Sequence, residues 1–242
     1  MPKFFVKPEC IYEENAFIRG SDAVHIGRSL RMRLGDEITI CCEGVEYQCK
    51  LVTISDDECR CEILSSHMGD CEPSIALTLF QAVPKSDKLE FIVQKAVELG
   101  AAEICPVLTG RCVSRPDKKS FKKKLERLNK IALEAAKQCG RSVIPKVTEI
   151  ITLDECIKRL SDMELGLICY EKGGENLGNV FSGKSPKTVG VFIGSEGGFE
   201  GSEAEKCIAA GVVPISLGKR ILRCETAPIA AISIIMSLTG NM

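Results

Sequence analysis

The chain of 242 residues is 45% hydrophobic and 27% charged, with a formal net charge of −1, a composition typical of a soluble globular protein. Its length allows one large domain or two smaller ones. No apolar stretch is long enough to cross a bilayer, and the start MPKFFVKPEC lacks the charged-then-apolar pattern of a secretory signal. The sequence therefore excludes a membrane-spanning segment and predicts a cytoplasmic protein.

Residues 1–70 contain short segments that are typical of strands. DEITICCEG, VEYQCKLVTI and ECRCEIL are separated by turn-like EG and SDD, which predicts a small meander or barrel. The polar stretch 65–74 contains glycine and proline and is typical of a linker. We therefore expect a first domain over residues 1–70 and a second over residues 73–242.

Beyond the linker, predicted strands alternate with predicted helices, which indicates a mostly parallel sheet covered on both faces. The predicted strands are SIALTLFQAV, EICPVL, LGLICYE, TVGVFI and VVPISL. The predicted helices are 85–100, 118–140, 152–160, 203–210 and 228–239. The fold class is therefore α/β.

The fourteen cysteines raise the question of a disulfide or metal framework. They are scattered, no C-x-x-C pair occurs, and only two histidines are present. The spacing that zinc sites require is therefore missing. We expect reduced cysteines that are mostly buried as small hydrophobic residues, and no metal.

Positive charge is concentrated in one segment of an otherwise acidic chain. Twelve basic and three acidic residues lie between Arg111 and Lys146. Such a block favours a surface that binds a polyanion. On charge alone, a solvated helix face is the favoured explanation.

Two glycine-containing loops follow predicted strands late in the chain, GSEGGFE (194–200) and LGKRILRCETAP (217–228). Ligands of parallel sheets bind beyond the carboxyl ends of the strands, and glycine lets a ligand approach the backbone closely. Neither loop is a P-loop or a G-x-G-x-x-G motif, and a glycine turn without a ligand is the alternative. Ser202 and Glu205 have capping-box spacing for the next helix, and Thr226 is the expected N-cap of the last.

The two loops closely resemble the paired C-terminal motifs of the RsmE family. These are methyltransferases of the SPOUT superfamily that methylate N3 of a uridine in small-subunit (16S) ribosomal RNA. The resemblance extends over nearly the whole chain, through KFFV, HIGRSLRMRLGD, KSDKLEFIVQKAVELG and KKLERLNKIALEAAKQCGR. Ser195 and Lys219 stand where proline is common in the family, and Cys224 where threonine is common.

The resemblance implies a PUA-like RNA-binding β-barrel over residues 1–70 and a SPOUT-type parallel sheet with a trefoil knot over residues 73–242. It also implies S-adenosylmethionine as cofactor and a homodimer. The residues expected to bind the cofactor are Ile193, Gly194, Glu196, Gly197, Gly198, Leu217, Gly218, Ile221, Leu222, Arg223, Thr226 and Ala227.

The implied reaction must remove the N3 proton of uridine, because the protonated nitrogen is a poor nucleophile. The two histidines, His25 and His67, lie outside the α/β domain. We therefore expect Glu225 as the base and Arg223 as the cation that stabilises the uridine anion. An equally weighted alternative for Glu225 is a helix N-terminal acid that interacts with the helix dipole.

Basic side chains of both domains are expected to contact RNA phosphates. The predicted RNA-binding residues are Arg19, Arg28, Arg31, Arg33, Arg111, Lys122, Lys123, Lys124 and Arg141. The expected partner is ribosomal RNA or the small ribosomal subunit. Two other functions stay open: another SPOUT enzyme that acts on a ribose 2′-OH or on transfer RNA, and a non-catalytic RNA-binding assembly protein.

Overall fold

The structure, a computed structural model, describes residues 1–242 with the exception of the side chain of Lys118. The chain divides into two compact units. The first unit comprises Met1–Glu72 and Ala136–Ile144, and the second comprises Pro73–Ala135 and Pro145–Met242. Neither unit is therefore one uninterrupted stretch of chain.

The first unit is built around a six-stranded sheet with the strand order β1-β4-β5-β6-β3-β2. Its strands are β1 (Lys3–Phe5), β2 (Ile11–Tyr12), β3 (Asn15–Arg19), β4 (Glu37–Cys42), β5 (Val45–Ile54) and β6 (Glu58–Met68). The β1–β4 pair is parallel and the other pairs are antiparallel. A short helix α1 (Ser21–Val24) continues into a π-helical turn, His25–Ser29, and a 3-10 turn covers Pro8–Cys10.

The core of the first unit consists of apolar side chains from the strands and α1. Phe4, Ile38 and Leu51 are at most 2% exposed. Cysteines take several of the core positions, such as Cys49 and Cys61, which are fully buried. Burial raises the pKa of these two thiols to about 12, so they stay protonated and pack as small hydrophobic groups. The predicted role of the cysteines is thereby confirmed here.

A clasp of charged groups joins the segment after the longest helix to the rest of the first unit. Lys3 Nζ lies 2.7 Å from Oε1 of Glu46, and the hydroxyl of Ser142 donates to the same oxygen. Arg141 donates to a carboxylate oxygen of Glu72 at 2.6 Å. Burial opposes ionisation of Glu46, but the hydrogen bonds from Lys3 and Ser142 lower its pKa below the usual value. The carboxylate of Glu46 is therefore ionised in this buried position, with its hydrogen-bond partners in place.

The second unit is built around a parallel sheet with the order β10-β8-β7-β13-β11-β14-β12, and β9 pairs with β8. Its strands are β7 (Ala76–Ala82), β8 (Glu103–Leu108), β9 (Lys146–Val147), β10 (Ile151–Thr152), β11 (Leu165–Cys169), β12 (Glu175–Asn176), β13 (Thr188–Ile193) and β14 (Val213–Ser216). Its helices are α2 (Lys88–Glu98), α3 (Lys118–Cys139, of which the last residues belong to the first unit), α4 (Leu153–Ser161), α5 (Leu177–Phe181), α6 (Gly201–Ala209) and α7 (Thr226–Leu238). The predicted α/β fold class is confirmed.

The central strands of this sheet are apolar on both faces. In β13 every residue after Thr188 is buried, the pattern of a parallel strand that is covered on both sides. The ring of Phe192 in β13 packs edge-on against Phe199 at a centroid distance of 4.7 Å, which fixes the loop that leaves the strand. Polar groups are therefore left to the carboxyl ends of the strands.

Over the part of the chain that the structure describes, no helix combines the length and the apolar character that a membrane span requires. All fourteen cysteines are free thiols, and Cys71 is the exposed one among them.

Candidate active site

A cavity of about 510 Å³ opens at the carboxyl ends of β11, β13 and β14. Its walls are the ends of these strands, the loop after β13, the loop after β14 and Lys88 of α2. The two loops are the glycine-containing stretches that the sequence singles out. The two loops lie close together because only one strand, β11, lies between β13 and β14 in the sheet.

The loop after β13 is a tight glycine bend over residues 194–200. The N–H of Gly198 donates to the carbonyl of Ser195 at 2.9 Å, and Gly198 has φ +65°. A Cβ on Gly194 would stand 3.0 Å from Cα of Gly198, which is closer than side chains pack. The bend therefore requires glycine at Gly194 for close approach and at Gly198 for its backbone conformation.

Two side chains from neighbouring elements hold this bend. Gln81, at the end of β7, donates from its amide to the carbonyl of Gly194 at 3.2 Å. Arg111, in the loop after β8, donates from Nη1 to the carbonyl of Gly197 at 2.7 Å. Gln81 is fully buried, and its Oε1 has no partner among the residues that the structure describes. The sequence did not single out Gln81. Its polar side chain near the end of an otherwise apolar strand was the available signal.

The N-cap of the helix after the bend lies two residues before the predicted one. Glu200 is the N-cap of α6 and forms a capping box with Glu203, so the predicted box of Ser202 and Glu205 is wrong. Glu203 also accepts a hydrogen bond from the N–H of Gly110 at 2.7 Å. This second contact, which no local spacing encodes, selects Glu203 and ties the loop after β8 to the start of α6.

The loop after β14 presents its backbone to the cavity. Gly218 has φ +105°, and the side chain of Ile221 is 87% exposed. Among the described residues, no hydrogen bond uses the backbone N–H groups of residues 219–223. Free backbone donors beside an exposed apolar side chain fit an adenine ring, which offers acceptors at its edge and apolar faces. The residues present therefore fit the predicted cofactor.

The helix α7 after this loop has Glu225 as its N-cap, although Glu225 makes no capping hydrogen bond with its side chain. The prediction of Thr226 as N-cap is wrong, because the backbone N–H groups of Thr226 and Ala227 both donate to the carbonyl of Arg223 at 2.9 Å, so the helical turn already includes Thr226. Pro228 lies in the first turn, as expected.

A cluster of charged groups joins the two loops. Lys88 Nζ lies 3.2 Å from Oε1 of Glu196 and 3.1 Å from Oε2 of Glu225. The thiol of Cys224 donates to Glu225 at 3.2 Å, and the N–H of Lys85 donates to Glu196 at 3.1 Å. The sequence did not single out Lys88. Its position just beyond the carboxyl end of β7, the strand beside β13, was the available signal.

The cluster shifts the pKa of each of its members. The hydrogen bonds from Cys224 and then from Lys88 lower the pKa of Glu225. Burial opposes ionisation of Glu196, but backbone N–H donors and Lys88 lower its pKa. Glu225 and Glu196 in turn raise the pKa of Lys88, and burial, followed by the bond to Glu225, raises that of Cys224 to about 12. At neutral pH the cluster holds two carboxylates, one ammonium and one protonated thiol.

The cavity brings together most of the residues predicted for the site. The predicted residues that line it are Ile193, Gly194, Glu196, Gly197, Gly198, Leu217, Gly218, Ile221, Leu222, Arg223 and Ala227. Thr226 does not line it, and Glu225 reaches it only through its contact with Lys88. Lining residues that the sequence did not indicate include Lys88, Tyr170 and Glu171. In the described part of the chain, no group of three or more His, Cys, Asp or Glu side chains could hold a metal ion.

The arginines predicted to bind RNA in the first unit fall into two groups. Arg19 pairs with Glu58 at 2.6 Å, and Arg28 pairs with Asp56. Arg31 and Arg33 are exposed, and the described residues offer neither side chain an ion-pair partner. Arg31 and Arg33 are therefore more available to RNA phosphates than Arg19 and Arg28.

In the second unit, the lysines of α3 lie mostly in solvent. Lys122 and Lys123 are exposed, whereas Lys124 is half-buried and donates to the carbonyl of Ser86 at 3.2 Å. The side chain of Lys118, part of the basic block, lies outside the described structure.

The prediction for Arg141 is wrong. Its side chain is 5% exposed and its guanidinium is held by Glu72 in the first unit. A buried and paired guanidinium is not available to a phosphate, so Arg141 serves the clasp rather than RNA.

Fold and site agree with two family models. A model described as an RNA methyltransferase domain matches residues 71–236, and one described as an RNA methyltransferase PUA domain matches residues 18–64. The chain is therefore an RNA methyltransferase with a PUA domain.

Similar proteins narrow the family. "Ribosomal RNA small subunit methyltransferase E" of Bacillus subtilis (strain 168) is 36% identical over 246 residues, which covers 97% of this chain and 96% of that protein. The protein of the same name from Mesomycoplasma hyopneumoniae (strain 232) is 33% identical and covers 95% and 96%. A crystal structure of the Neisseria gonorrhoeae protein of that name, bound to S-adenosyl methionine, matches with a TM-score of 0.86 at 30% identity over 98% of both chains. The chain belongs to the ribosomal RNA small subunit methyltransferase E family, and its fold is of the expected SPOUT type.

Proposed function

We propose that the protein transfers a methyl group from S-adenosylmethionine to N3 of one uridine in small-subunit (16S) ribosomal RNA. The observation that carries the proposal is the cavity formed by both glycine loops, in a chain that matches this methyltransferase family over nearly its whole length. The chemistry of the cavity supports the cofactor, since free backbone donors and apolar side chains surround it.

The cofactor residues are proposed from the two loops. When bound, S-adenosylmethionine supplies an electrophilic methyl group on a positively charged sulfur. The bend at Gly194–Gly198 and the backbone of residues 219–223 would hold the adenosine, with Leu217, Ile221 and Leu222 against its apolar faces. Holding the methyl group in line with the incoming nitrogen lowers the barrier by restricting the reactants to the productive geometry.

Glu225 is proposed as the base that accepts the proton from N3 of uridine. Its lowered pKa keeps the carboxylate ionised and able to accept a proton at neutral pH. Arg223 lines the cavity two residues before Glu225 and would stabilise the negative charge that develops on the uracil ring. The alternative role of Glu225, an acid at the N-terminus of α7, is supported equally by its N-cap position.

RNA binding is assigned to exposed basic residues in each unit. Lys122 and Lys123 on α3 would contact phosphates, as would Arg31 and Arg33 in the PUA domain. Such contacts give affinity rather than sequence choice. Work on ribosomal RNA also supports a cytoplasmic location, where ribosomal subunits are assembled.

A homodimer is part of the proposal. Phe91 on α2 and Ile234 and Leu238 on α7 are large apolar side chains that are 40–45% exposed. An exposed apolar set on neighbouring helices is typical of an interface, and a second copy of the chain is the proposed partner. Light scattering on a sizing column tests this directly: a monomeric mass at micromolar concentration would contradict it.

The reaction is tested on small ribosomal subunits from a strain that lacks this gene. The subunits are incubated with the protein and labelled S-adenosylmethionine, and the digested nucleosides are identified by mass spectrometry. We expect label in 3-methyluridine. Glu205→Gln, a change at an exposed position on α6, serves as the variant that should retain full activity.

The other outcomes each contradict part of the proposal. Label in a ribose-methylated nucleoside keeps the cofactor and assigns the chain to a 2′-OH methyltransferase. Label in transfer RNA supplied in a parallel reaction, with no label in the subunits, would assign the chain to a different substrate. Binding of the cofactor without transfer to RNA overturns the substrate assignment, and absence of cofactor binding overturns the catalytic assignment.

A further inference from the structure

Lys88 connects the two loops of the cavity from a third element, the start of α2. Its ammonium group contacts Glu196 in the first loop and Glu225 beside the second, at 3.2 and 3.1 Å. The side chain is 32% exposed and lines the cavity. The ion pairs of Lys88 therefore lie at the mouth of the site rather than on a remote surface.

The groups that face Glu225 come from three elements. Lys88 is contributed by α2, Glu196 by the loop after β13, and Cys224 by the loop after β14, where Arg223 also lines the cavity. Two carboxylates near one another favour protonation of one of them unless a cation neutralises their repulsion. Within the described residues, Lys88 is the cation that contacts both Glu196 and Glu225.

On the basis of the proposed function, we propose that Lys88 is a positioning residue for methyl transfer. Its ammonium group fixes the carboxylate of Glu225 for proton transfer and joins it to Glu196, so that the two cofactor loops keep their relative arrangement.

Two consequences of the geometry can be measured separately. The first concerns the loops: without the bridge, Glu196 and Glu225 repel, the loops separate more easily, and the cofactor binds less tightly. The second concerns proton transfer. Lys88 contributes to lowering the pKa of Glu225, so its removal raises that pKa. A base with a higher pKa is protonated over a wider range, and the acid limb of the pH–rate profile moves to higher pH.

The experiment compares Lys88→Met, Lys88→Arg and Lys95→Met with the unmodified chain. Lys95 lies on the same helix and, within the described residues, forms its ion pair with Glu98, so its variant controls for loss of one lysine from α2. Affinity for S-adenosylmethionine is measured by calorimetry, and kcat and KM are measured from about pH 5 to pH 9. Thermal melting establishes that each variant is folded.

We expect Lys88→Met to weaken cofactor binding about fivefold or more, to lower kcat more than it raises KM for RNA, and to move the acid limb to higher pH. Lys88→Arg keeps the charge and should retain most of the cofactor affinity and of the unmodified pH profile. Lys95→Met should behave as the unmodified chain. An unchanged acid limb and unchanged cofactor affinity in Lys88→Met overturn the inference. Equal loss in Lys88→Arg and Lys88→Met also overturns it, since a charge bridge tolerates arginine.

A double-mutant cycle adds a readout that a purely structural role would not give. In a Glu225→Gln background, Lys88→Met should change kcat much less than it does alone, because the shared contact is already lost. Additive effects would contradict the inference. Failure of the proposed function is recognised separately, by absence of 3-methyluridine with the unmodified chain, and the calorimetric comparison of the Lys88 variants still decides the loop-bridging role in that case.

Discussion

Arg111 donates a hydrogen bond of 2.7 Å to the carbonyl of Gly197, in the middle of the glycine bend. A Cβ on Gly197 would stand 3.2 Å from Cβ of Arg111, so the arginine packs along the bend as well as bonding to it. A residue predicted to contact RNA is thus also a support of the proposed cofactor loop. RNA and cofactor would therefore both depend on the position of one side chain.

The first prediction concerns this support. Arg111→Ala should weaken binding of S-adenosylmethionine by about fivefold, because a hydrogen bond from a charged donor at a partly exposed site contributes about 1 kcal/mol. Calorimetry in the absence of RNA measures the effect. Lys123→Ala removes a predicted phosphate contact that does not touch the cavity and should leave cofactor affinity unchanged. Equal affinity for all three proteins would remove Arg111 from the cofactor site.

The second prediction concerns the conformation of the bend. Gly198→Ala places a side chain at φ +65° and 3.2 Å from the carboxylate of Glu171, and we expect a loss of about 1–2 kcal/mol in the free energy of unfolding. Gly183→Ala is the matched control, since Gly183 has φ +69° and no atom within 4 Å of the added carbon. Both should lose stability in urea, but only Gly198→Ala should lose cofactor affinity. Similar cofactor affinity in the two variants would show that the bend does not contact the cofactor.

The third prediction separates the two roles of Glu225. If Glu225 accepts the N3 proton, Glu225→Gln should lower kcat by at least about 100-fold with little change in cofactor affinity. If Glu225 only interacts with the dipole of α7, the variant should lose about 0.3–1 kcal/mol of stability and keep its activity. Single-turnover rates and urea unfolding of the same preparation decide between these outcomes.

The fourth prediction concerns the basic face of α3. Replacing Lys122 and Lys123 with alanine should weaken binding to ribosomal RNA and reduce the slope of log K against log salt by about 2, since each phosphate contact contributes about 1. Lys184 and Lys187, which are exposed in the same unit, provide a control pair with the same change in charge. An identical slope for both double variants would leave the α3 lysines as a solvated helix face.

The fifth prediction tests the corrected role of Arg141. Arg141→Gln leaves the carboxylate of Glu72 without its main cation, and we expect a loss of about 3 kcal/mol in the free energy of unfolding. The salt dependence of RNA binding by the folded variant should not change. A smaller salt slope with full stability would return Arg141 to the RNA surface.

The sequence predicted those features that depend on local pattern. Alternating strands and helices and the two glycine loops follow from periodicity and from where glycine is needed, whereas the residues that line the cavity were named through the resemblance to the RsmE family. Helix starts were less well predicted: the N-cap of α6 is Glu200 rather than Ser202 because Glu203 also binds Gly110. A contact from a distant loop selected one of two suitable caps, and no local spacing carries that information.

Lys88 and Arg141 show the same limit for charged residues. The sequence did not single out Lys88, and it placed Arg141 in the basic block. Strand order places Lys88 beside Glu196 and Glu225. The fold of the first unit buries Arg141 and pairs it with Glu72. Whether a charge is an available ligand for RNA or an internal partner depends on residues about 70 or more positions away, which composition does not indicate.

The clasp formed with Arg141 and Ser142 also bears on how the protein is made. Because the first unit includes Ala136–Ile144, its N-terminal stretch cannot reach its final form when Glu72 leaves the ribosome. Glu46 and Glu72 must wait for Ser142 and Arg141, an interval of several seconds at about 5–20 residues per second. During that interval the strands of the six-stranded sheet exist without their clasp.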